Sequence, residues 1–231
     1  MEAIFHGQRK ELPAEFNDYF MLSDTVIVEI DMCRGHLDEG PEVTCPCPRG
    51  REIIGPVNQF NRQARRLGLN VIHVRTVNRK GGVDDVKGAK AAWRRVFPMT
   101  VGPIPNSDMH NIEGSHWCEF TVEVDEDDLS VSSKKRLSAF YLTDLEFLLR
   151  NLNKQTLVIT GLMTDCCVLN TCFDASNRGF KVIVPRDLTR GFSPELEDAT
   201  FKIVSLHLGL VVDSEDMIAK WESIEPAVET A

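Results

Sequence analysis

The segment from Thr160 to Val168 carries the most reactive combination of residues in this sequence. It reads Thr-Gly-Leu-Met-Thr-Asp-Cys-Cys-Val and runs from the end of an apolar stretch into a predicted helix. A thiol in the first turn of a helix feels the partial positive charge of free N–H groups, which favours the nucleophilic thiolate. The same N–H groups can hold a developing oxyanion. The alternative is that Cys166, Cys167 and Cys172 are small core residues, because free cysteine is often buried.

Two charged residues elsewhere in the chain could serve such a thiol. Asp31 follows the apolar run Thr25–Ile30, where a carboxylate could take the thiol proton and return it to a leaving amine. Lys134 follows the run Leu129–Ser132, and a cation there would stabilise thiolate and carboxylate alike. Each residue also has an ordinary explanation. Asp31 could simply form a turn, and Lys134-Lys135-Arg136 could be a solvated basic run.

The elements that would position these residues alternate between strands and helices. This alternation predicts a single Rossmann-like α/β domain, with a mainly parallel six-stranded sheet and helices on both faces. Ligands of such sheets bind beyond the carboxyl ends of the strands, so we expect Asp31, Lys134 and Cys167 at that edge. The predicted strands are Thr25–Ile30, Asn70–Thr76, Leu129–Ser132, Thr156–Thr160, Phe180–Val184 and Leu210–Val212. The predicted helices lie between Ile53 and Leu67, from Thr143, from Asp165 to Arg178, from Ser193, and over Ser214–Trp221.

The whole chain, 1–231, is interpreted as one domain with two less regular parts. Residues 1–20 form a charged N-terminal extension without the apolar core of a signal peptide. Residues 81–128, rich in Gly, Pro and charge, are predicted to be an excursion over the surface. The sequence has no run of about 20 apolar residues, which a membrane-spanning helix requires. We therefore expect no membrane partner and a cytoplasmic location.

Composition also excludes some classes of protein. The net charge of −9 argues against a nucleic-acid partner, which would require a basic face. Seven cysteines, an odd number, fit free thiols better than a disulfide framework. No Gly-x-Gly-x-x-Gly motif follows the first predicted strand, which argues against a dinucleotide-binding oxidoreductase.

Three segments together resemble the isochorismatase-like cysteine hydrolases. Members of that family have an apolar strand running into Asp-Met and a Lys six residues before the Phe of Ser-Ala-Phe-x-x-Thr-Asp-Leu. They also have Thr-Gly-x-x-Thr-Asp-x-Cys-Val ahead of a helix that contains Asp-Ala. The matching residues are Val28–Met32, Lys134 with Ser138–Leu145, and Thr160–Val168 with Asp174 and Ala175. The resemblance extends from about Thr25 to Val212.

This resemblance implies roles for particular residues. Cys167 would be the nucleophile, Asp31 the acid and base, and Lys134 the third member of a catalytic triad. The backbone N–H groups of Met163 and Cys167 would form the oxyanion hole, with a cis peptide bond between Leu162 and Met163. The resemblance also implies a homodimer or homotetramer, and no metal or organic cofactor.

The resemblance favours one branch of the family. True isochorismatases lack the cysteine and cleave a vinyl ether, so Cys167 favours an amidase. Nicotinamidases carry a metal-binding Asp-x-His after the second strand, where this chain has Val74–Arg79. What remains is similarity to N-carbamoylsarcosine, ureidoacrylate and biuret hydrolases, which implies a small carboxamide or carbamoyl (ureido) substrate and release of ammonia. The alternatives are an ester or vinyl ether substrate, or a non-catalytic binding protein on the same fold.

Four residues near the predicted active edge are candidate substrate contacts. Arg34 and His36 follow Asp31 closely, and Arg75 and Arg79 lie at and just after the end of the second strand. An arginine could bind a substrate carboxylate through two parallel hydrogen bonds. For Arg75 and Arg79, the alternative is an ion pair at the surface.

The same first loop contains a possible zinc set. Its members would be Cys33, His36, Cys45 and Cys47. The Cys-Pro-Cys spacing is shorter than structural zinc sites use, so incidental reduced thiols are favoured and no metal is predicted. His73 alternates within a strand and is expected to be a packed, hydrogen-bonded core residue.

Overall fold

The structure, a computed structural model, describes residues 1–224 and is built around a parallel β-sheet. Its strands are β1 (Glu2–Phe5), β2 (Gln8–Glu11), β3 (Thr25–Ile30), β4 (Asn70–Thr76), β5 (Leu129–Lys134), β6 (Thr156–Leu162), β7 (Lys181–Pro185), β8 (Thr189–Arg190) and β9 (Leu210–Val212). The main sheet has the order β5-β4-β3-β6-β7-β9, and the short β8 pairs with β6. All of these pairs are parallel. The predicted six-stranded α/β sheet is therefore confirmed.

Helices cover both faces of this sheet. They are α1 (Arg34–Leu37), α2 (Ile54–Arg66), α3 (Trp93–Val96), α4 (Pro98–Val101), α5 (Leu145–Asn151), a π-helical turn (Thr164–Val168), α6 (Leu169–Asn177), α7 (Pro194–His207) and α8 (Ser214–Glu222). Short 3-10 turns lie at Ala14–Phe20, Leu22–Asp24, Pro48–Ile53, Ser107–Met109, His116–Cys118 and Arg186–Leu188. Helices α2 and α8 pack into one apolar cluster, and α5, α6 and α7 pack into the other.

The central strand β3 shows why the sheet forms. Every residue of β3 is buried, as expected for a parallel strand that is covered on both faces. Ile27 packs into the cluster under α2, whereas Val26 and Val28 pack into the cluster under α5. Alternation along the strand thus supplies apolar side chains to both layers.

The structure differs from the sequence predictions at several boundaries. Strand β5 continues two residues further, to Lys134. The helix predicted from Thr143 begins at Leu145, although the Thr143 hydroxyl accepts a hydrogen bond from the Leu145 N–H. The helix predicted from Asp165 opens instead with the π-helical turn. The helix predicted from Ser193 is α7, and the Ser193 side chain caps it by accepting from the Leu196 N–H.

The first residues form more than a charged extension. Strands β1 and β2 pair as an antiparallel hairpin, and Ala3 and Ile4 of this hairpin are buried in the two core clusters. Strand β1 has only four residues, so its alternation of apolar and polar side chains is too weak to predict the hairpin from the sequence. Within residues 1–224, none of the helices combines the length and the apolar character that crossing a membrane would require.

A buried polar network joins β3 and β4 to the loop before β5. The imidazole of His73 lies 2.8 Å from a Glu29 carboxylate oxygen and 2.9 Å from one of Asp128. Asn61 donates to Glu29 over 2.7 Å, and Arg65 donates to Asp128. His73 is therefore the packed, hydrogen-bonded core residue that the sequence predicts.

Replacing His73 by phenylalanine is expected to lower the free energy of unfolding by about 3–5 kcal/mol at pH 6, because buried carboxylates lose their partner. Burial alone would lower the pKa of His73, but the hydrogen bond and charge of Glu29 raise it above its ordinary value. The stabilisation is therefore complete below the ordinary histidine pKa of about 6.5 and is lost as pH rises through the raised one. Urea denaturation at several pH values measures both effects.

The exposed His207, the last residue of α7, provides a matched control for this experiment. Its replacement by phenylalanine should change the free energy of unfolding by no more than about 0.5 kcal/mol. Equal losses at the two positions would contradict the role assigned to the buried network.

Candidate active site

The carboxyl ends of β3, β5 and β6 bring Asp31, Lys134 and Cys167 together. The ammonium nitrogen of Lys134 lies 2.6 Å from Asp31 Oδ2 and 3.4 Å from Cys167 Sγ. It also donates to the Thr76 hydroxyl over 2.9 Å, so its three N–H donors are all used. Asp31 and Lys134 are each 1% exposed and Cys167 is 6% exposed, so the three groups interact away from bulk water.

A turn in the backbone after β3 points the Asp31 carboxylate into this cluster. Asp31 has a φ of +54°, a left-handed conformation that aspartate tolerates better than most residues. Its own N–H donates to the Val74 carbonyl over 2.7 Å. Its carboxylate accepts from the Thr76 N–H over 2.9 Å. The neighbouring strand β4 thus holds both the backbone and the side chain of Asp31.

Cys167 is placed by the turn that follows β6. Gly161 lies so close to β3 that a Cβ there would come within 2.1 Å of the Ile30 carbonyl oxygen. The peptide bond between Leu162 and Met163 is cis. The Met163 carbonyl then accepts from the N–H groups of Cys166 and Val168, which starts the π-helical turn. Cys167 therefore stands in the first turn of the helical segment, as the sequence predicts.

Electrostatics keep both charged members of the cluster ionised. Burial alone would raise the pKa of Asp31, but the charge and hydrogen bond of Lys134 hold it below its ordinary value. Burial opposes the charge on Lys134 too, yet Asp31 raises the pKa of the ammonium above its ordinary range. Asp31 is therefore an available proton acceptor, with Lys134 as its fixed counter-charge.

Two effects in the packed structure oppose the thiolate that the sequence predicts at Cys167. A hydrogen bond with the neighbouring Cys166 raises the pKa of Cys167, and burial raises it further. The charge of Lys134 offsets these effects only in part. Burial depends on the packed structure, so the position of Cys167 in a first helical turn could not reveal it. A thiol with a raised pKa needs a base, and Asp31 is the carboxylate placed to remove its proton.

A cavity of about 710 Å³ opens onto this cluster. Asp31, Lys134 and Cys167 line it together with a wall formed by the apolar side chains of Trp93, Val96, Phe97, Phe192 and Leu196. Three of those five come from the segment 81–128, so this segment is not merely an excursion over the surface. Aromatic residues in an otherwise Gly-, Pro- and charge-rich stretch were the signal that could have identified this wall from sequence.

Among the four predicted substrate contacts, only His36 lines the cavity. The guanidinium of Arg34 instead pairs with Asp38 at 3.0 Å and with Glu119 at 3.3 Å. Arg79 pairs with Asp84 at 3.4 Å and is largely exposed. Both arginines therefore form ion pairs at the surface, and the prediction that they contact substrate is wrong.

Arg75 also points away from the cavity. Its guanidinium lies over the Phe120 ring, 4.4 Å from the centroid, and donates to the Cys118 carbonyl and the Ser132 hydroxyl. The alternation of side chains along β4 explains this result, because residues next to each other in a strand point to opposite faces. Arg75 thus joins β4 to its neighbours and does not line the cavity, contrary to the predicted substrate contact.

The possible zinc set does not assemble. Within residues 1–224, no three His, Cys, Asp or Glu side chains are grouped as a metal ion would require. The Cys33 sulfur accepts from the Asn111 amide over 3.1 Å, and His36 donates to the Cys45 carbonyl over 2.8 Å. Burial raises the pKa of both Cys33 and Cys47 to about 12, so these are packed neutral thiols.

The fold and the site together define an α/β cysteine hydrolase. The sequence profile of the Isochorismatase domain matches residues 25–216, and the chain therefore belongs to the isochorismatase family.

Two relatives match this chain in sequence, and a solved structure matches it in fold. Ureidoacrylate amidohydrolase RutB of Methylorubrum extorquens is 36% identical over 205 residues, which cover 84% of this chain and 81% of that protein. N-carbamoylsarcosine amidase of Arthrobacter sp is 29% identical over 163 residues, which cover 70% of this chain and only 57% of that protein. A cysteine hydrolase from Pseudomonas syringae pv. phaseolicola has the same fold, with a TM-score of 0.75 and 22% identity over 88% of this chain and 94% of its own.

Proposed function

We propose that this chain is an amidohydrolase that cleaves a small carboxamide or carbamoyl (ureido) compound and releases ammonia. The observation that carries the proposal is the contact of Lys134 Nζ with Asp31 Oδ2 at 2.6 Å and with Cys167 Sγ at 3.4 Å. A nucleophile, a proton acceptor and a cation thus share one buried space at the base of the cavity. Relatives named for a ureido and an N-carbamoyl substrate support a C–N bond as the target.

The first half of the proposed reaction forms a covalent intermediate. Asp31 accepts the Cys167 thiol proton while Sγ attacks the carbonyl carbon of the substrate. Lys134 remains charged throughout and stabilises the developing negative charge on sulfur. The oxyanion is held by the backbone N–H groups of Met163 and Cys167. Asp31 then returns its proton to the leaving nitrogen, and ammonia departs.

The second half of the reaction regenerates the thiol. Water attacks the acyl or carbamoyl group on Sγ while Asp31 accepts one of its protons. Collapse of this intermediate breaks the C–S bond, and the sulfur of Cys167 recovers the proton from Asp31. One carboxylate therefore acts as base and acid in both halves, and its lowered pKa keeps it ready for the first step.

Hydroxylamine interception tests the covalent intermediate. Butyramide, benzamide and phenylurea are incubated with the wild-type protein, with and without hydroxylamine. We expect ammonia release from all accepted substrates. With hydroxylamine present, butyramide and benzamide should also give their hydroxamates, and phenylurea should give N-hydroxy-N′-phenylurea. The reason is that hydroxylamine attacks the acyl group on Cys167 as water does. Cys167→Ala should form neither product. Two outcomes would contradict the proposal. One is release of ammonia with neither an intercepted product nor a Cys167 adduct detected by intact mass. The other is turnover of esters or vinyl ethers but of no amide.

A further inference from the structure

The basic run Lys134-Lys135-Arg136 lines the cavity, and the proposed mechanism uses only its first member. Lys135 pairs with the Asp84 carboxylate at 3.3 Å. Arg136 is half-buried, and within residues 1–224 its hydrogen bonds all go to backbone carbonyls. It forms no ion pair with any carboxylate in that part of the chain. Arg136 is therefore a cation on the cavity lining that has no anionic partner.

The hydrogen bonds of Arg136 leave one edge of its guanidinium free. Nη1 and Nη2 both donate to the Asp84 carbonyl, over 3.2 and 3.3 Å, which uses the outer edge of the fork. Nη1 donates its second proton to the Lys135 carbonyl over 2.7 Å. A guanidinium has five N–H donors, so the N–H of Nε and the second N–H of Nη2 remain. These two N–H groups are parallel, and such a pair can bind both oxygens of a carboxylate.

The charge around Arg136 is positive overall. The Asp84 carboxylate pairs with Arg79 at 3.4 Å as well as with Lys135, and its carbonyl accepts from Arg136. Three cations thus surround one carboxylate, which can balance only one of them. An anionic group beside Arg136 would gain this attraction and two charge-assisted hydrogen bonds, which offset the loss of its water.

The carboxylates on the cavity lining do not neutralise Arg136. Asp31 and Asp85 each have a cationic partner of their own. Asp165 accepts from a backbone N–H over 2.9 Å and follows β6, whereas Arg136 follows β5, three places away in the sheet order β5-β4-β3-β6. Among the described residues, the free edge of Arg136 therefore has no internal anion, and an anionic group of a ligand fits it.

We infer that Arg136 selects the substrate by binding a carboxylate through Nε and Nη2 while the amide of the same molecule reaches Cys167. The carbon chain that joins the two groups contacts the apolar wall. The substrate class is therefore the monoamides of small dicarboxylic acids and the N-carbamoyl amino acids. The inference rests on the proposed function and narrows its substrate class.

Isosteric pairs of amides test the charge. Malonamate, succinamate and glutaramate are compared with 3-methylbutanamide, 4-methylpentanamide and 5-methylhexanamide, in which two methyl groups replace the two carboxylate oxygens. Binding is measured by calorimetry to Cys167→Ala, which should not turn the compounds over. We expect at least one acid to bind about tenfold to 100-fold more tightly than its alkyl partner, because hydrogen bonds to charged groups are strong. No preference for the acid at any of the three chain lengths would overturn the inference.

Variants in the Cys167→Ala background assign this preference to a residue. Arg136→Met should lower the affinity ratio of acid to alkyl partner to about one, and Arg136→Lys should retain part of it, because lysine keeps the charge but not the parallel donors. Arg79→Met is the matched control, because Arg79 pairs with the same Asp84 but does not line the cavity. Its ratio should not change.

Circular dichroism shows which variants are folded, and Arg136→Gln replaces Arg136→Met if the latter does not fold. An unchanged ratio in a folded, uncharged variant at position 136, or an equal loss in Arg79→Met, would overturn the role of Arg136. Ammonia release by the wild-type protein tests the proposed function separately. Selective binding of an acid without its hydrolysis would contradict the proposed function, whereas hydrolysis of amides without selectivity for the acids would contradict the inference alone.

Discussion

Replacing Cys167 by alanine is expected to reduce kcat/KM by roughly 10⁴-fold or more for every amide that the wild-type protein accepts. The reason is that Cys167 supplies the electron pair that attacks the substrate carbonyl carbon in the first half of the proposed reaction. Folding should change little, because the substitution removes one sulfur from the edge of the cavity. Coupled detection of ammonia measures the loss, and circular dichroism confirms that the variant is folded.

Variants of two further cysteines serve as controls that distinguish the nucleophile from a thiol that is only buried. Cys172 is fully buried in α6 and away from the cavity, so Cys172→Ala should keep most of the activity. Cys166→Ala should also hydrolyse the substrate, but its pH–rate profile should move to lower pH than that of the wild-type protein. The reason is that the Cys166 thiol raises the pKa of Cys167. Loss of turnover in Cys166→Ala with retention in Cys167→Ala would reverse the assignment.

Separating the buried ion pair should affect both stability and catalysis. Lys134→Met leaves the 1%-exposed Asp31 carboxylate without its cation, and we expect the free energy of unfolding to fall by about 3–5 kcal/mol at pH 7. Activity should fall as well, because the variant carboxylate is driven toward its protonated form. Asp31→Asn should also be inactive, since an amide cannot accept the thiol proton.

The double variant Asp31→Asn/Lys134→Met separates these two effects. Removing both charges should restore most of the lost stability, because a buried ion pair replaced by neutral groups is often close to neutral overall. Activity should not return. Urea denaturation of the four proteins completes the cycle. A double variant as unstable as the sum of the single variants would show that the pair is not coupled.

The pH dependence of Lys134→Met follows from the sign of the Asp31 pKa shift. In the wild-type protein the pKa of Asp31 is lowered, so its stabilisation is fully present above the ordinary pKa of about 3.9 and is lost as pH falls from there through the lowered pKa. In the variant, burial without the cation should raise this pKa instead. The stability deficit of Lys134→Met should therefore be largest near pH 7 and shrink toward pH 4.

Local patterns were enough to locate most of the sheet and the reacting groups. The run Thr25–Ile30 is apolar at every position except Thr25 and Glu29, which favours a strand buried on both faces, and the chain continues directly into Asp31. The carboxyl ends of parallel strands meet at one edge, and residues at those ends are therefore brought together by topology alone. Asp31 and Lys134 are 103 residues apart in the chain, yet their side chains lie 2.6 Å apart.

The direction of side chains and the charge on the thiol could not be obtained in this way. Arg75 and Arg79 lie near the predicted active edge, but strand alternation and nearby acceptors turn them away from the cavity. The apolar wall depends on the packing of Trp93 and Phe97, which have no regular periodicity to place them. The pKa of Cys167 depends on burial by groups distant in sequence. These properties arise from the whole packed molecule, because each depends on contacts that no short stretch of sequence contains.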